Sequence, residues 1–466
     1  MVIGMSQVVV HLDFKGAPPH IHYLINLFPL LAAAGATALL VEYEDMFPFE
    51  GSLKNISALN AYTKQELSVM MTAAHRHGLD VIPLVQTFGH LEFALKLPEF
   101  KHLRELEAFP QEVCPSKPQS LDNLVYDMVR QVMELHPNAR YLHIGCDEVF
   151  HIGACSRCSH TDPKALFAQH VASVAHFVRS TYPGVTPLIW DDMLRRWSPA
   201  DHLKWGLGDL VEPVVWVYTE EIHPLLPNFA WFAYRKSFPH IWVAGAFKGA
   251  SGDSAEIPNL EQHILNTAAW NKIITNCSEC AGIFLTGWSR YDHFAVLCEL
   301  LPVSVPSLIH NLLLASRRDT RQLGKLLECP QAMANSIELG SFYWQLAACG
   351  YPGSDMLSAL WILKDLKTRM KVLNMRSSGW LSKYNIRHNF TSPMRVIDLH
   401  ADVTQLSREV ATFKNSTGLI LLQYVDHYSA KEWLEQKLEP LQVEILSLEH
   451  AMQKLINRDT WPRRPL

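Results

Sequence analysis

The chain carries the run Tyr141-Leu-His-Ile-Gly-Cys-Asp147-Glu148-Val-Phe150, an apolar segment that ends on two adjacent carboxylates. A short apolar run that follows a turn is typical of a buried β-strand. Two like charges side by side at the end of such a strand raise the pKa of at least one of them. A carboxyl with a raised pKa can serve as a general acid near neutral pH. The alternative is a pair of solvated acids in a surface loop.

Seven other apolar runs of similar length alternate with longer helical patterns along the first two thirds of the chain. They are residues 8–13, 38–43, 80–86, 186–190, 211–218, 240–247 and 282–288. Eight β/α units in this order predict a (β/α)₈ TIM barrel of the α/β class, with a doubly wound open sheet as the alternative.

Polar groups at the ends of these runs favour the barrel over the open sheet. Seven of the eight runs end, on their C-terminal side, in side chains able to bind or react. A barrel brings all of those ends to one mouth, where barrel enzymes have their active sites. The side chains concerned are Asp13, Glu42, Glu44, His90, Asp147, Glu148, Trp190, Asp191, Asp192, Tyr218, Trp288 and Asp292.

Helix signals complete the predicted architecture. A helix over residues 21–34 should end at Gly35, and Thr63 with Glu66 forms a capping box at the start of another. Beyond residue 313 the β signals fade, which predicts a catalytic barrel over 1–313 and a mainly helical C-terminal region over 314–466. We interpret the leucine stripe of a final helix over 429–456 as packing within that region, and a homodimer surface is the alternative.

Composition excludes several other classes of protein. A net charge of -5 in 466 residues gives no sign of a nucleic-acid or anionic-membrane partner. The most apolar stretch, residues 24–41, is interrupted by Asn26, Pro29 and Gly35, and so is not a membrane span. The start of the sequence lacks the pattern of a secretory signal. We therefore expect a protein of the cytoplasm and nucleus.

Nine cysteines at uneven spacing predict reduced thiols in such a compartment. Cys155-Ser-Arg-Cys158, with His151 and His160 close by, and Cys277-x-x-Cys280 also suit structural zinc if the fold brings them together. The two pairs follow different strands. We therefore expect ordinary thiols, no metal and no cofactor, and zinc is the alternative.

The adjacent acids restrict the chemistry of a glycosidase. Ordinary glycosidases place two carboxylates on opposite faces of the scissile bond, several ångströms apart. Neighbours such as Asp147 and Glu148 cannot do this. They suit the substrate-assisted scheme, in which one acid protonates the leaving oxygen and the other steers a nucleophile that belongs to the substrate.

The stretch His143-Ile-Gly-Cys-Asp147-Glu148 resembles the Asp-Glu signature of family 20 glycoside hydrolases, the β-N-acetylhexosaminidases. Four longer stretches strengthen the resemblance, and they lie at residues 11–19, 42–48, 85–92 and 286–293. The resemblance is to the cytoplasmic and nuclear branch of the family. It covers the barrel and extends more loosely to the end of the chain.

The resemblance implies an exo-acting, retaining β-N-acetylhexosaminidase that removes terminal non-reducing N-acetyl-β-D-hexosaminides, GalNAc in preference to GlcNAc, through an oxazolinium. It implies that Glu148 is the general acid and then the base. Asp147 would hold the acetamido N–H and stabilise the oxazolinium. The substrate would be a small glycoside or glycoconjugate. Trp190, Trp216 and Trp288 would wall the acetamide pocket, Tyr218 would donate to the acetamide oxygen, and Asp13, Glu42, His90 and Asp292 would hold the sugar hydroxyls.

Two departures from the family pattern bear on the hydroxyl contacts. Most members carry an arginine on the first strand where this chain has Val8, so Lys15 or His11 would take its place. The Tyr-x-Asp of a later strand is also absent. Two alternatives remain: a barrel glycosidase whose nucleophile is Asp192 or Asp292, and a non-catalytic sugar-binding barrel.

Overall fold

The computed structural model describes residues 7–330 and 343–466 of the chain. Ten β-strands lie in its N-terminal part, and eight of them close into a barrel of parallel strands in the order β1-β10-β9-β8-β7-β6-β3-β2. The predicted barrel is thus confirmed. Two other strands, β4 and β5, form a separate antiparallel hairpin. The bounds are β1 Gln7–Asp13, β2 Ala38–Glu42, β3 Asp80–Leu84, β4 Arg104–Leu106, β5 Phe109–Val113, β6 Tyr141–His143, β7 Thr186–Trp190, β8 Glu212–Trp216, β9 Ile241–Lys248 and β10 Cys280–Gly287.

The interior of the barrel is filled by every second residue of its strands. Leu188 and Trp190 of β7, and Trp242 and Ala244 of β9, are buried in one apolar cluster with Phe284 of β10. Successive side chains of a strand point to opposite faces, so residues two apart share the inward face. The outward face packs against the helices, and for this reason the strands are apolar throughout.

Helices of ten or more residues follow most strands. In the barrel part they are α1 Ile21–Ala34, α2 Lys64–Arg76, α3 Tyr126–Leu135, α4 Pro163–Thr181, α5 Asn228–Ser237, α6 Leu260–Thr275 and α7 Leu301–Ala315. Shorter α-helical turns lie at Glu92–Leu95, Pro118–Ser120, Pro199–Trp205, Leu207–Leu210 and Leu323–Leu326. A π-helical segment, Leu121–Val125, leads into α3.

Both predicted helix-end signals are confirmed. Gly35 ends α1 with a φ of 111°, and its N–H donates to Leu31 O. A side chain there would collide with Ser316, which adds a packing reason for glycine. At the start of α2, Thr63 and Glu66 form the capping box: Glu66 N donates to Thr63 Oγ1 at 3.2 Å, and Thr63 N donates to Glu66 Oε2 at 2.8 Å.

The described chain forms two compact units, one up to Gly353 and one over Ser354–Leu466. Helix α7 belongs to the first unit. The boundary at residue 313 and the division into a catalytic and a non-catalytic region stay predictions. The second unit consists of α8 Ser354–Ser377, α9 Pro393–Leu421, α10 His427–Lys437 and α11 Glu439–Ile456, with a short helix at Lys383–His388.

The single final helix predicted over 429–456 is wrong. The structure has two helices, α10 and α11, separated at Leu438. Pro440 lies in the first turn of α11, and proline lacks the N–H that a continuous helix would need there. Of the leucine stripe, Leu438 and Leu441 are buried and Leu446 is exposed. The homodimer stays a prediction.

The prediction that all nine cysteines are reduced is wrong for four of them. Cys277 is bonded to Cys280 and Cys329 to Cys349, because the fold brings each pair within disulfide distance. Cys114, Cys146, Cys155, Cys158 and Cys298 are free thiols. Within residues 7–330 and 343–466, no helix combines the length and apolarity needed to cross a membrane.

Candidate active site

A pocket of about 200 Å³ opens at the C-terminal mouth of the barrel. Its wall comes from residues at or just after the ends of the strands, as in other barrel enzymes. Seven of the ten predicted site residues line it: His90, Asp147, Glu148, Trp190, Trp216, Tyr218 and Trp288. The remaining lining residues are Lys15, Gln86, Gly249, Ala250 and Tyr291.

The backbone that carries the two acids leaves β6 early and turns sharply. The apolar run around them was expected to be one strand, yet β6 ends at His143. Gly145, Cys146 and Glu148 all have a positive φ, of 65°, 69° and 49°. Left-handed backbone at a non-glycine residue costs roughly 1–3 kcal/mol, and it occurs most often at functional sites. The turn places Asp147 and Glu148 on the pocket wall as neighbours.

His90 lies between the two acids. Its Nε2 is 3.1 Å from Glu148 Oε2 and 3.5 Å from Asp147 Oδ2. Burial opposes protonation of the imidazole, but the charges of Asp147, Glu148 and Glu92 outweigh burial and raise the pKa of His90 to about 10. The ring is therefore a cation at neutral pH, and it offsets part of the negative charge of the pair.

Asp147 is buried, and one of its oxygens is not engaged by the protein. Burial is the main cause that raises the pKa of Asp147, with Glu42 and Glu148 adding to it and His90 opposing it. Asp147 Oδ1 is a buried atom without a hydrogen-bond partner among the residues that the structure describes. Buried polar atoms normally have a partner, so a free acceptor on a pocket wall indicates a ligand contact.

Four aromatic side chains form one wall of the pocket. The rings of Trp190 and Trp288 are 5.9 Å apart, and Trp216 stacks on Tyr218 at 5.2 Å. Trp288 Nε1 donates to the Tyr218 hydroxyl at 3.1 Å, which joins the two pairs. Such faces suit the methyl group of an acetamide and the C–H face of a sugar.

Known proteins with similar sequences identify the family of the chain. The pattern described as "Glycosyl hydrolase family 20, catalytic domain" matches residues 22–207. The chain is 40% identical to hexosaminidase D of Homo sapiens over 448 residues, which are 93% of this chain and 91% of that protein. The chain belongs to glycoside hydrolase family 20. It is a glycoside hydrolase of the β-N-acetylhexosaminidase type, and family 20 enzymes use substrate-assisted catalysis.

Solved structures of other proteins share the fold. Chitobiase of Flavobacterium johnsoniae has a TM-score of 0.52 at 13% identity, over 97% of this chain and 72% of that one. A mutant β-hexosaminidase of Streptomyces plicatus, in complex with its product GlcNAc, has a TM-score of 0.51 at 15% identity, over 73% of this chain and 70% of that one. At such low identity the likeness shows the fold alone.

Three carboxylates that were predicted to hold sugar hydroxyls do not line the pocket. Asp13 accepts from the backbone N–H of Ser289 at 2.7 Å, and Glu42 is 3.0 Å from His11 Nε2. Asp292 accepts from the backbone N–H groups of two residues in its own turn. None of the three is among the residues that line the pocket with Asp147 and Glu148. Their contact with substrate stays a prediction.

Lys15 lines the pocket, and it is a candidate to replace the arginine that most family members carry where this chain has Val8. Its Nζ is 3.7 Å from Asp13 Oδ2, 3.5 Å from Glu44 Oε1 and 5.3 Å from the centre of the Trp288 ring. Burial opposes its charge, but Asp13, Glu44 and Glu42 outweigh burial and raise the pKa of Lys15. Of the two replacements suggested by the sequence, Lys15 lies on the wall, whereas His11 is fully buried against Glu42.

Asp192 supports the catalytic loop from behind the wall. Its Oδ2 accepts from the backbone N–H of Glu148 at 2.9 Å, and its Oδ1 accepts from Trp216 Nε1 at 3.3 Å. Burial, with the nearby charge of Asp147, raises the pKa of Asp192 to about 7. The sequence identified Asp192 only as an alternative nucleophile. Its contacts instead fix the backbone of Glu148 and the ring of Trp216.

Sequence reasoning missed Gln86, Gly249, Ala250 and Tyr291 as lining residues. Gln86 and Tyr291 lie within two of the stretches that carry the family resemblance, which was the available signal. Gly249 and Ala250 belong to the loop after β9, the one strand whose end had shown no reactive group.

Proposed function

We propose that the chain is an exo-acting, retaining β-N-acetylhexosaminidase that works through an oxazolinium intermediate and prefers GalNAc to GlcNAc. The observation that carries the mechanism is the unpartnered Asp147 Oδ1 on an aromatic-walled pocket. An acetamido N–H is a donor of the right kind for this acceptor, and the methyl group beyond it suits the tryptophan faces. A plain hexoside has neither group.

The proposed first step is attack by the substrate's own carbonyl oxygen on C1. Glu148 gives its proton to the glycosidic oxygen as the C1–O bond breaks, and the aglycone leaves as an alcohol. The resulting oxazolinium carries a positive charge across its ring. Asp147 accepts the N–H of that ring and stabilises the charge, an effect that is strong in a buried site.

The second step reverses the roles. The Glu148 carboxylate removes a proton from water, and the water oxygen attacks C1 as the oxazolinium ring opens. Two inversions at C1 give net retention. Glu148 suits an exchange of protons with both leaving group and water, because its side chain is the more exposed of the pair, at 38% against 10% for Asp147.

The placement of Asp192 and Asp292 argues against an enzymic nucleophile. Neither residue lines the pocket, and both carboxylates are engaged by backbone N–H groups. A nucleophile must approach the reacting carbon to about 3–3.5 Å. Among the described residues, the carboxylates that line the pocket are those of Asp147 and Glu148.

We assign the sugar hydroxyls to Lys15 and His90, the two cationic side chains of the pocket wall. The preference for GalNAc and a location in cytoplasm and nucleus rest on the resemblance of the sequence to one branch of the family. No nucleic acid or membrane is needed for the reaction, and the partner is the glycoside itself.

The test is hydrolysis of p-nitrophenyl β-GalNAc, β-GlcNAc and β-galactoside by the purified chain, with and without a thiazoline mimic of the oxazolinium. We expect turnover of the two acetamido sugars, faster for GalNAc, none of the plain galactoside, and inhibition by the thiazoline. Turnover of the galactoside would show that the enzyme supplies its own nucleophile. Faster hydrolysis of GlcNAc would overturn only the assigned preference.

A further inference from the structure

Three thiols and a carboxylate meet outside the pocket, where the catalytic machinery does not use them. Glu105 lies on β4, Cys114 directly follows β5, and Cys155 and Cys158 lie in the loop between β6 and α4. One donor atom from each of the four lies within 4.8 Å of every other. Cys114 lies 41 residues before Cys155 in the sequence, and no pattern in the sequence indicated that it would join the Cys155–Cys158 pair.

The other candidate ligands from the sequence lie elsewhere. His151 Nδ1 is 3.1 Å from both oxygens of Glu112, and Cys277 and Cys280 are bonded to each other. The set that the structure brings together is therefore three cysteines and a glutamate.

The spacing of these donor atoms fits a tetrahedral ion. Cys114 Sγ is 3.6 Å from Cys155 Sγ and 3.5 Å from Cys158 Sγ, and Cys158 Sγ is 3.5 Å from Glu105 Oε2. Zinc–sulfur bonds of about 2.3 Å and zinc–oxygen bonds of about 2.0 Å, at tetrahedral angles, place two sulfurs about 3.8 Å apart and a sulfur and an oxygen about 3.5 Å apart. These three distances lie within about 0.3 Å of that geometry, and the other donor atoms lie within 4.8 Å of one another.

The burial of these side chains and the charge of Glu105 also favour a bound cation. Cys114 and Cys158 are fully buried, and Glu105 is 3% exposed. Among the residues that the structure describes, no lysine, arginine or histidine forms an ion pair with Glu105. An ionised carboxylate is costly to bury unless a charge or a metal offsets it. Glu105 Oε1 accepts a neutral donor, the backbone N–H of Cys155, at 3.0 Å. A disulfide would use two of the thiols and bring no positive charge to this carboxylate.

We propose that Glu105, Cys114, Cys155 and Cys158 bind a structural zinc ion. Thiolate ligands favour zinc over the hard cations calcium and magnesium. Four protein ligands complete a tetrahedral shell and leave no open position, as in structural rather than catalytic zinc sites.

The site would join two segments that hold the acids of the pocket. Cys155 and Cys158 lie on the loop that continues from Glu148, whereas Glu105 and Cys114 belong to the β4–β5 hairpin. The same hairpin binds the backbone on both sides of His90: Leu91 N donates to Gln111 O at 2.9 Å, and Val113 N donates to Phe88 O at 3.3 Å. Zinc would thus fix the loop that carries Glu148 to the β4–β5 hairpin, which also binds the backbone around His90.

The first experiment measures the metal content of the full-length chain by inductively coupled plasma mass spectrometry, after removal of any histidine tag. We expect about one zinc ion per chain. Cys114→Ser and Cys158→Ser should lose most of it. Cys298→Ser is the matched control, since Cys298 is a buried cysteine outside the cluster and has no disulfide, and this variant should keep its zinc. Unchanged zinc in Cys114→Ser would overturn the assignment.

A second experiment uses the unmodified chain, in case the variants fail to fold. Removal of metal by a chelator should lower the unfolding temperature, and zinc should restore it. Cobalt added in place of zinc should give the charge-transfer absorption of a thiolate complex. Glu105→Gln should weaken zinc binding by at least about tenfold, since even outer-shell changes have effects of that size. A folded chain that takes up no zinc when supplied with it, or that shows a disulfide among these thiols, would refute the proposal. These readouts do not depend on hydrolytic activity, so they can fail independently of the proposed function.

Discussion

Replacement of Asp147 by asparagine tests the central electrostatic step. The change keeps the shape of the side chain, removes its charge and replaces one acceptor oxygen by an NH₂ group. Asp147 is buried, with Oδ1 unpartnered, so a positive charge that develops on a bound acetamide would meet little screening from water. The charge of Asp147 therefore acts on the transition state more strongly than a surface carboxylate would.

The size of the effect follows from distance and local dielectric. Two unit charges about 4 Å apart interact by about 4 kcal/mol at an effective dielectric constant of about 20. Because the transition state carries only part of a charge, we expect a loss of about 3 kcal/mol, which is roughly 150-fold in kcat. His90 Nε2 stays near the same place, 3.5 Å from the altered side chain, and its positive charge adds to the loss.

The assay compares kcat on aryl glycosides with good and poor leaving groups, together with the affinity for the thiazoline. Asp147→Asn should lower kcat by a similar factor on all of them and weaken the thiazoline by about the same factor. Asp209→Asn, the same change at an exposed helix residue, is the control. A loss below about fivefold would refute the reasoning, since it is far from the 10²–10³ typical of such groups. A loss confined to poor leaving groups would make Asp147 the acid.

We expect Asp147→Asn to stay folded, so that a lower kcat reports on catalysis and not on stability. The pKa of Asp147 is raised in the folded chain, chiefly by burial. A carboxyl with a raised folded-state pKa binds its proton more tightly when folded, so its ionisation lowers stability as the pH rises above the unfolded pKa. Removal of the charge should therefore leave the unfolding temperature at neutral pH unchanged or higher.

Three other variants test the acid, the pH dependence and the fold. Glu148→Gln should lower kcat most for poor leaving groups, because an aglycone that departs easily needs little protonation, and equal losses across an aryl series would contradict the role. His90→Asn should move the acid limb of the kcat/KM profile up by about one to three pH units. The His90 cation lowers the pKa of Asp147, so without it that carboxyl stays protonated to higher pH. An unmoved limb would separate His90 from Asp147. Thr63→Ala should lower the free energy of unfolding in urea by about 1 kcal/mol, because a helix cap is lost, whereas Thr72→Ala on the same helix should not.

Local signals explain why the barrel could be predicted. Helix α1 has the predicted bounds because Pro18 and Pro19 precede it and Gly35 ends it, and such punctuation acts over a few residues. The strands repeat with one helix between neighbours, an order that suits a barrel or an open sheet, and the polar ends of the strands favour the barrel. The antiparallel β4–β5 hairpin has no place in that order, and no pattern in the sequence indicated it.

The position at which β6 ends could not be predicted from the apolar character of the sequence. The run from Tyr141 to Phe150 is hydrophobic enough for one strand, yet only residues up to His143 belong to β6. The turn needs glycine at Gly145, because a side chain there would collide with Gln86, which lies two residues beyond the end of the neighbouring strand β3. The sign of φ at Cys146 and Glu148 then follows from that turn. Such a collision depends on which strands become neighbours, which a single sequence does not state.

The acids at the strand ends explain why some site residues could be predicted and others not. Asp13 and Asp147 both follow apolar runs, and the sequence treats them alike. In the fold, Asp13 accepts from Ser289 N, 276 residues away, and helps to keep Lys15 charged, whereas Asp147 keeps a free oxygen. The Asp13 carboxylate already has backbone donors on both oxygens, whereas Asp147 Oδ1 is left for a donor from outside the described chain. Long-range backbone partners create this difference, and a single sequence does not state them.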